Sequence, residues 1–295
     1  MILNVSGRTD IVTFYMPWFI KRYKEGFVDV RNPFYPKMVN RINFKDVDLI
    51  LFCTKNPIPL LKYIKEVDKK ILLHVTLTPY KKDIEPNVPP KGVLIDTIKK
   101  LSKQIGKDNI YIRYDPIFIS DKYSTEYHIK SFDKMCKLLN GYVNHIIISF
   151  LDEYKNVKRN QKILELKPLT EDDYEKIGIN FSKSAKENGM TVQTCFEERN
   201  LTEYGFIKET CLSHTLAYKL TGKIYPSWKA RGGKNCKCAQ MIDIGVYNSC
   251  KHFCKYCYAN YDEKKVNENF NNHDINSSLL IGKLNDEDII KERVK

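Results

Sequence analysis

Residues 241–260 read MIDIGVYNSCKHFCKYCYAN, and the rest of the chain is organised around this stretch. A short apolar run leads into a loop with three cysteines, Cys250, Cys254 and Cys257, spaced C-x3-C-x2-C. Cysteine thiolates are the ligands of iron–sulfur clusters, and three of them in one compact loop can hold three irons of a 4Fe-4S cluster. The fourth iron then has no protein ligand, which leaves it able to bind a small molecule.

The remaining sequence alternates short apolar runs with longer amphipathic stretches. Strands are predicted at residues 2–6, 48–53, 71–77, 110–114, 145–150, 191–196 and 241–247. Helices are predicted at residues 14–25, 91–105, 125–139 and 170–188. Strands that alternate with helices favour parallel βα units. With an eighth strand expected from residues 27–30 or 211–226, the fold class is predicted to be α/β, a (β/α) TIM-type or partial barrel.

The cysteine loop resembles the cluster motif of the radical S-adenosylmethionine (SAM) enzymes. The cysteines have the spacing of that superfamily, and an aromatic residue, Tyr256, precedes the last of them. The resemblance implies that the fourth iron chelates SAM, and that one electron cleaves SAM to methionine and a 5'-deoxyadenosyl radical. A structural zinc site or reduced surface thiols are the alternatives, although zinc usually takes four ligands in pairs such as C-x2-C.

In most of that superfamily the loop follows the first barrel strand, whereas here it begins at residue 250 of 295. A barrel tolerates a change in where the chain is cut if its termini lie close together. We therefore expect a circularly rearranged barrel, in which the strand before Cys250 takes the first-strand role and residues 2–6 supply the next strand.

The chain resembles a subgroup of radical SAM proteins, built on an uncharacterised domain, in which the cluster motif lies near the C-terminus. The segments that carry this resemblance are SGRTD, RNPF, TKNP, TLTPY, RYDP, SFLD, the cysteine loop and HDINSSLL. We expect a barrel over residues 1–260, with the cluster loop at 248–260. The tail, residues 261–295, is expected to wrap the barrel and to end in a short helix near residues 286–293.

Composition favours one cytoplasmic domain. A length of 295 residues with 42% hydrophobic content suits one barrel, which typically needs about 250 residues. The sequence has neither an apolar run of the roughly 18 residues that a membrane span needs nor a signal-peptide pattern at its start. Nine cysteines in such a chain favour metal ligation over a disulfide framework.

The formal net charge of +13 raises the question of a nucleic-acid partner. Only nine of the 49 basic residues are arginine, and the lysines are spread along the chain. A small-molecule substrate is therefore preferred, with nucleic acid as the alternative.

The carboxyl ends of barrel strands build the active site in this class of fold. The resemblance implies that Ser6, Gly7 and Arg8 take the place of the segment that binds the SAM amine, and that Tyr256 packs near adenine. Arg113 is expected to pair with the SAM carboxylate through its fork, or else with a neighbouring aspartate. The strand-end residues expected to bind substrate are Lys55, Asn56, Asp115, Asp152, Glu197 and Glu198.

Four further cysteines are candidates for a second site. Cys195, Cys211, Cys236 and Cys238 provide sulfur ligands of the kind that iron–sulfur clusters and zinc take. The sequence does not show whether they converge.

The resemblance further implies a queuine lyase, which releases 7-aminomethyl-7-deazaguanine from the modified nucleobase queuine, with an electron donor such as flavodoxin or ferredoxin. A carboxylate can accept both donors on the deazaguanine edge. Two alternatives stay open. One is a radical SAM lyase that repairs or modifies nucleic acid, and the other is a non-enzymatic iron–sulfur protein that transfers electrons or senses redox state.

Overall fold

The computed structural model describes residues 1–152, 154–195, 197, 199–228 and 237–293. The strands are β1 (Ile2–Asn4), β2 (Phe27–Arg31), β3 (Met38–Asn43), β4 (Leu49–Thr54), β5 (Lys70–Thr76), β6 (Ile110–Ile117), β7 (His145–Phe150), β8 (Thr191–Thr194), β9 (Met241–Asp243) and β10 (Ile289–Glu292). The helices are α1 (Ile11–Phe14), α2 (Met16–Glu25), α3 (Leu60–Tyr63), α4 (Lys91–Ile105), α5 (Thr125–Leu139), α6 (Lys155–Arg159), α7 (Gln161–Leu164), α8 (Glu171–Glu187), α9 (His214–Thr221) and α10 (Glu263–Asn271).

Seven parallel strands form the main sheet, in the order β8-β7-β6-β5-β4-β1-β9. From β1 to β8 the strands of this sheet are added in chain order on one side, and β9 then returns to pair with the free side of β1. Leu3 thus stands between Ile50 of β4 and Ile242 of β9. The last strand of the main sheet lies beside its first, and the cysteine loop leaves the carboxyl end of that last strand.

All seven strands predicted for the sheet are confirmed, with bounds that differ by a few residues. The predicted closure is not seen, because β8 and β9 are the two edges of the sheet and no further strand joins them in the described part of the chain. Residues 27–30 do form a strand, but β2 pairs with β3 in a separate sheet of order β10-β3-β2. The other candidate segment, 211–226, contains α9 instead.

The two faces of the main sheet differ because side chains alternate along each strand. One face packs against helices, where Phe132 of α5 stacks on Phe181 of α8 at a centroid distance of 3.8 Å. The other face is apolar only near the amino ends of the strands, where residues 211–225 and Ala239 cover it. Towards the carboxyl ends the same face carries polar residues, so an open polar edge lies next to the cysteine loop.

Helix starts follow local sequence signals. The helices predicted at 91–105 and 125–139 are confirmed as α4 and α5. Helix α8 begins at a capping box, in which Thr170 and Asp173 each accept a hydrogen bond from the other's backbone N–H.

In the described residues, every helix falls short of the length and apolar character that crossing a membrane requires.

The tail differs from the prediction at its end. The short helix expected at 286–293 is wrong, since Ile289–Glu292 forms β10, which pairs in parallel with the free edge of β3. Two adjacent β-branched residues, Ile289 and Ile290, favour strand over helix. Earlier in the tail, Leu279 and Leu280 are buried, and the Ser277 carbonyl accepts a hydrogen bond from the Trp18 indole at 2.8 Å.

Candidate active site

The cysteine loop, residues 248–260, follows β9 and has a shape fixed by hydrogen bonds between its asparagine side chains and the backbone. Asn248 and Phe253 have positive φ angles of 52° and 53°. The Asn248 side chain accepts hydrogen bonds from the backbone of Tyr261 at 2.8 Å and of Asp262 at 3.3 Å, and the Asn260 side chain donates to the Cys250 carbonyl. Asparagine tolerates the left-handed region better than most residues, so this loop conformation has a local sequence cause.

The three thiols differ in exposure but share the effect of burial on their pKa values. Cys250 is 8% exposed, and Cys254 and Cys257 are partly exposed. Burial raises the pKa of all three thiols, and at Cys250 and Cys254 the neighbouring cysteines add to this effect. The backbone N–H of Ala259 donates to Cys257 Sγ at 3.4 Å. Binding of a metal to these thiols would therefore release protons.

This donor set fits an iron–sulfur cluster. It consists of sulfur alone, it comes from one short loop, and N–H donors of the kind that tune cluster sulfurs already point at one ligand. The described residues contain no group of three histidine, cysteine or acidic side chains arranged to hold a single metal ion. Unlike a single ion, a four-iron cluster stands between its ligand sulfurs and keeps them apart.

Behind the loop lies a buried carboxylate, Glu85, which is 1% exposed. It accepts hydrogen bonds from Lys55 Nζ at 2.8 Å and Thr78 Oγ1 at 2.6 Å, and also from Lys91 and the Tyr256 hydroxyl. Burial by itself would raise the pKa of Glu85, but the two lysines outweigh burial and lower this pKa to about 2. We call these five residues the Glu85 network.

The Glu85 network places positive charge next to the cysteine loop. Both lysines interact electrostatically with the thiol of Cys254, and Lys55 Nζ also lies 5.2 Å from the centre of the Tyr256 ring. Two ammonium groups and one carboxylate leave one net positive charge here. Such a site favours thiolates and other anionic groups at Cys254.

Asp243, the last residue of β9, holds the turn that follows β1. Its carboxylate accepts hydrogen bonds from Arg8 Nε at 2.8 Å and from the backbone N–H of Gly7 at 3.1 Å and Gly245 at 2.9 Å. A Cβ atom on residue 7 would lie 2.7 Å from this carboxylate, so the close approach requires glycine. The Gly7 carbonyl also accepts a hydrogen bond from Tyr258 in the cysteine loop.

A second acid, Asp10, ties the loop to the ends of β1 and β4. It accepts hydrogen bonds from Thr54 Oγ1 at 2.8 Å and from the Lys55 backbone at 2.9 Å, and His252 Nε2 lies 3.0 Å from it. Burial opposes ionisation of Asp10, yet hydrogen bonding and charge from His252 lower its pKa. His252 lies between two of the loop cysteines, so Asp10 fixes the loop against the sheet.

We call the face of the main sheet opposite the helices the inner face. There Arg113 pairs with Asp115 at 2.9 Å from Nε to Oδ2, and Ser149 donates to the same aspartate. Of the two partners expected for Arg113, the SAM carboxylate or a neighbouring aspartate, the structure shows the aspartate. Cys53 interacts electrostatically with Arg113, Asp115 and Asp243, so these charges face one space at the open carboxyl edge. Lys55 is also within electrostatic range of Asp115, which connects this space to the Glu85 network.

Other predicted site residues are hydrogen-bonded to groups within the protein. Ser6, Asn56 and Glu197 each accept a hydrogen bond from a backbone N–H, at 3.2, 3.2 and 2.8 Å. Asp152 is exposed and accepts a hydrogen bond from Tyr154 at 3.2 Å. Tyr256 is 7% exposed and packs 5.6 Å from Tyr80, so most of its ring surface is covered by protein.

The second group of cysteines is partly described. Cys195, Cys211 and Cys238 lie together, whereas Cys236, like the predicted substrate residue Glu198, lies outside the described residues. Among the residues with a clear place in the site, sequence reasoning missed Glu85, Lys91, Asp243 and His252. Glu85 sits in an irregular segment, and nothing in its sequence neighbourhood distinguishes it from exposed acids.

The comparisons with known proteins identify a family without an assigned activity. No curated protein matches the chain. A family model described as a domain of unknown function, DUF1848, matches residues 2–259, which include the main sheet, the Glu85 network and the three cysteines of the loop. This match covers most of the chain, and the protein is a member of the DUF1848 family.

Proposed function

We propose that the protein is a radical SAM enzyme whose 4Fe-4S cluster is held by Cys250, Cys254 and Cys257. The observation that carries this proposal is a short loop of three thiols, one buried and two partly exposed, at the carboxyl edge of a parallel sheet, with net positive charge beside it. When bound, the cluster and SAM supply a 5'-deoxyadenosyl radical that abstracts hydrogen from substrate. In this proposal the open sheet is a partial, circularly rearranged (β/α) barrel.

The residues around the loop have positioning tasks in this proposal. Asp10 and the Asn248 side chain hold the loop in place. The turn formed by Gly7 and Arg8 would shape the SAM site, while the Arg8 guanidinium and the Gly7 N–H are held by Asp243 and the Gly7 carbonyl accepts a hydrogen bond from Tyr258. Lys55 of the Glu85 network offsets the negative charge of the ligand thiolates.

We propose that the substrate is a modified deazaguanine, queuine, and that the reaction is carbon–nitrogen bond cleavage. Asp115 is the best-placed carboxylate, because it lies on the inner face and is held by Arg113 and Ser149. Its carboxylate can accept hydrogen bonds from the two donors of the base edge. Arg113 can then turn its remaining N–H groups to the acceptor oxygen of the base.

Replacing Asp115 with Asn is expected to weaken queuine binding by about 10- to 100-fold, the equivalent of the roughly 1.5–3 kcal/mol of a hydrogen bond to a charged group. The amide offers one acceptor in place of two. Deoxyadenosine formation without substrate turnover is expected to continue. Titration of the reconstituted protein with queuine measures the affinity, with the exposed Asp121→Asn as the matched control. An affinity equal to that of the unmodified protein would remove Asp115 from base recognition.

The proposed function is tested by anaerobic cluster reconstitution, followed by dithionite reduction with SAM in the presence and absence of queuine. Mass spectrometry then identifies the products. Appearance of 5'-deoxyadenosine together with 7-aminomethyl-7-deazaguanine supports the lyase. Deoxyadenosine alone supports radical SAM chemistry but rejects queuine, and the assay is then repeated with nucleic acid. An intact cluster that gives neither product favours an electron-transfer protein. Reduction by flavodoxin or ferredoxin in place of dithionite tests the electron donor.

A further inference from the structure

The second half of the cysteine loop contacts a side chain from α6, the short helix that follows β7. Asn156 Nδ2 donates to the Tyr258 carbonyl at 3.1 Å. The carbonyls of Cys257 and Asn260 each lie 3.3 Å from the same nitrogen. One amide of α6 thus serves three carbonyls of the loop, and its contact with Tyr258 is the shortest of the three.

The orientation of the Asn156 amide is fixed at its other end. Arg159 Nη2 donates to Asn156 Oδ1 at 3.0 Å, so the oxygen faces the guanidinium and the nitrogen faces the loop. Reversed, the amide would set its oxygen against carbonyl oxygens, which only accept hydrogen bonds. The helices have a separate anchor, because Val157 of α6 and Leu164 of α7 are buried in one apolar cluster with Tyr256. The segment is therefore held in place without the Asn156 amide.

The peptide group between Tyr258 and Ala259 connects Asn156 to a sulfur of the cysteine loop. Its carbonyl accepts from Asn156, and its N–H, on Ala259, donates to Cys257 Sγ at 3.4 Å. In a chain of hydrogen bonds each bond polarises the next. A donor on the carbonyl therefore both orients this peptide and strengthens the N–H that points at the sulfur.

We infer that Asn156 is a positioning residue that raises the reduction potential of the cluster through the peptide between Tyr258 and Ala259. The inference rests on the proposed function, since it takes Cys257 to be a cluster ligand. Hydrogen bonds to the sulfurs are among the factors that set the potential of an iron–sulfur cluster. The reduced cluster carries one more negative charge than the oxidised cluster, so an N–H donor at a ligand sulfur favours reduction.

Replacing Asn156 with Ala is expected to make the cluster harder to reduce. The equilibrium constant for one-electron reduction is expected to fall by about two- to tenfold, the range of a neutral hydrogen bond, and tenfold corresponds to about 59 mV. The measurement is a redox titration of the reconstituted protein with dithionite as the reductant, followed by electron paramagnetic resonance. SAM and substrate are left out, so the result does not depend on activity.

The matched control is Asn160→Ala. Asn160 lies one turn after Asn156, and its side chain donates to the Lys255 carbonyl at 2.6 Å, so this substitution also removes an amide contact with the loop. The N–H of that peptide belongs to Tyr256, and within the described part of the chain it donates to no sulfur of the loop. A general loosening of the loop would shift both variants alike, whereas the inference predicts a shift for Asn156→Ala alone.

A second measurement needs no cluster. The chain has five alanines, so isotope-labelled alanine gives a simple amide spectrum in which exchange at Ala259 is followed. In the metal-free protein, exchange is expected to be severalfold faster in Asn156→Ala than in Asn160→Ala.

Equal potentials in the two variants, or equal exchange at Ala259, would overturn the inference and leave the proposed function standing. Absence of an iron–sulfur cluster from the reconstituted unmodified protein would instead reject the proposed function, and the inference with it.

Discussion

Replacing Cys254 with Ala is expected to lower SAM cleavage by more than about 100-fold. Even the outer-sphere partners of metal ligands contribute about 10- to 100-fold to affinity or activity, and Cys254 is proposed to be a ligand itself. The fold is expected to persist, because Asn248, Asn260 and Asp10 hold the loop through contacts that do not involve this thiol. Iron content, deoxyadenosine yield and circular dichroism are the measurements.

The control for this experiment is Cys136→Ala. Cys136 is a free, fully buried thiol in α5, in the helix-side core and away from the loop. It is expected to retain the cluster and SAM cleavage at a modest cost in stability. Undiminished deoxyadenosine production by the Cys254 variant would reject the cluster assignment.

Glu85→Gln is expected to reduce the free energy of unfolding by about 3–5 kcal/mol, the usual cost of removing one partner from a buried ion pair. The substitution leaves the ammonium groups of Lys55 and Lys91 without their shared carboxylate. Since folding lowers the pKa of Glu85 from 4.5 to about 2, its stabilising contribution is present above about pH 4.5 and is lost as the pH falls towards 2. Urea unfolding of the two proteins at several pH values measures the difference.

The matched control is Asp121→Asn, which removes an exposed carboxylate paired with Lys167. Surface pairs typically contribute between 0 and about 1 kcal/mol, so a small change is expected. A Glu85 variant no less stable than this control at neutral pH would contradict the role given to the network. A difference that grew as the pH fell below 4 would contradict the sign of the linkage.

The sheet is well predicted from the sequence because buried parallel strands are near-continuous apolar runs. The segment Leu49–Thr54 is an example, since its first four residues are all buried and apolar. Closure is harder to predict, because it depends on how residues 211–226 pack. A short apolar stretch there fits a helix as well as a strand, and tertiary contacts place α9 against the inner face.

The candidate site is predicted only in part from the sequence. Residues that are close together in the chain were found, and pairs that are far apart in the chain were not. The spacing of the three loop cysteines is local, so it is visible directly. The pairing of Asp243 with Arg8 spans 235 residues, and that of Glu85 with Tyr256 spans 171. Such long-range pairings follow from strand order and loop packing, which a single sequence leaves undetermined.

The place of β9 beside β1 has a consequence for synthesis on the ribosome. After β1 is made, one of its edges stays unpaired until Met241–Asp243 is synthesised. At about 5–20 residues per second, this takes some tens of seconds. An unpaired edge is prone to wrong pairing during that time. The same order is also useful, because the partners of the cysteine loop, Glu85 and Asp10 among them, emerge before the cysteines do. The nascent loop is thus made after the residues that hold it, so the proposed cluster would be inserted late in maturation.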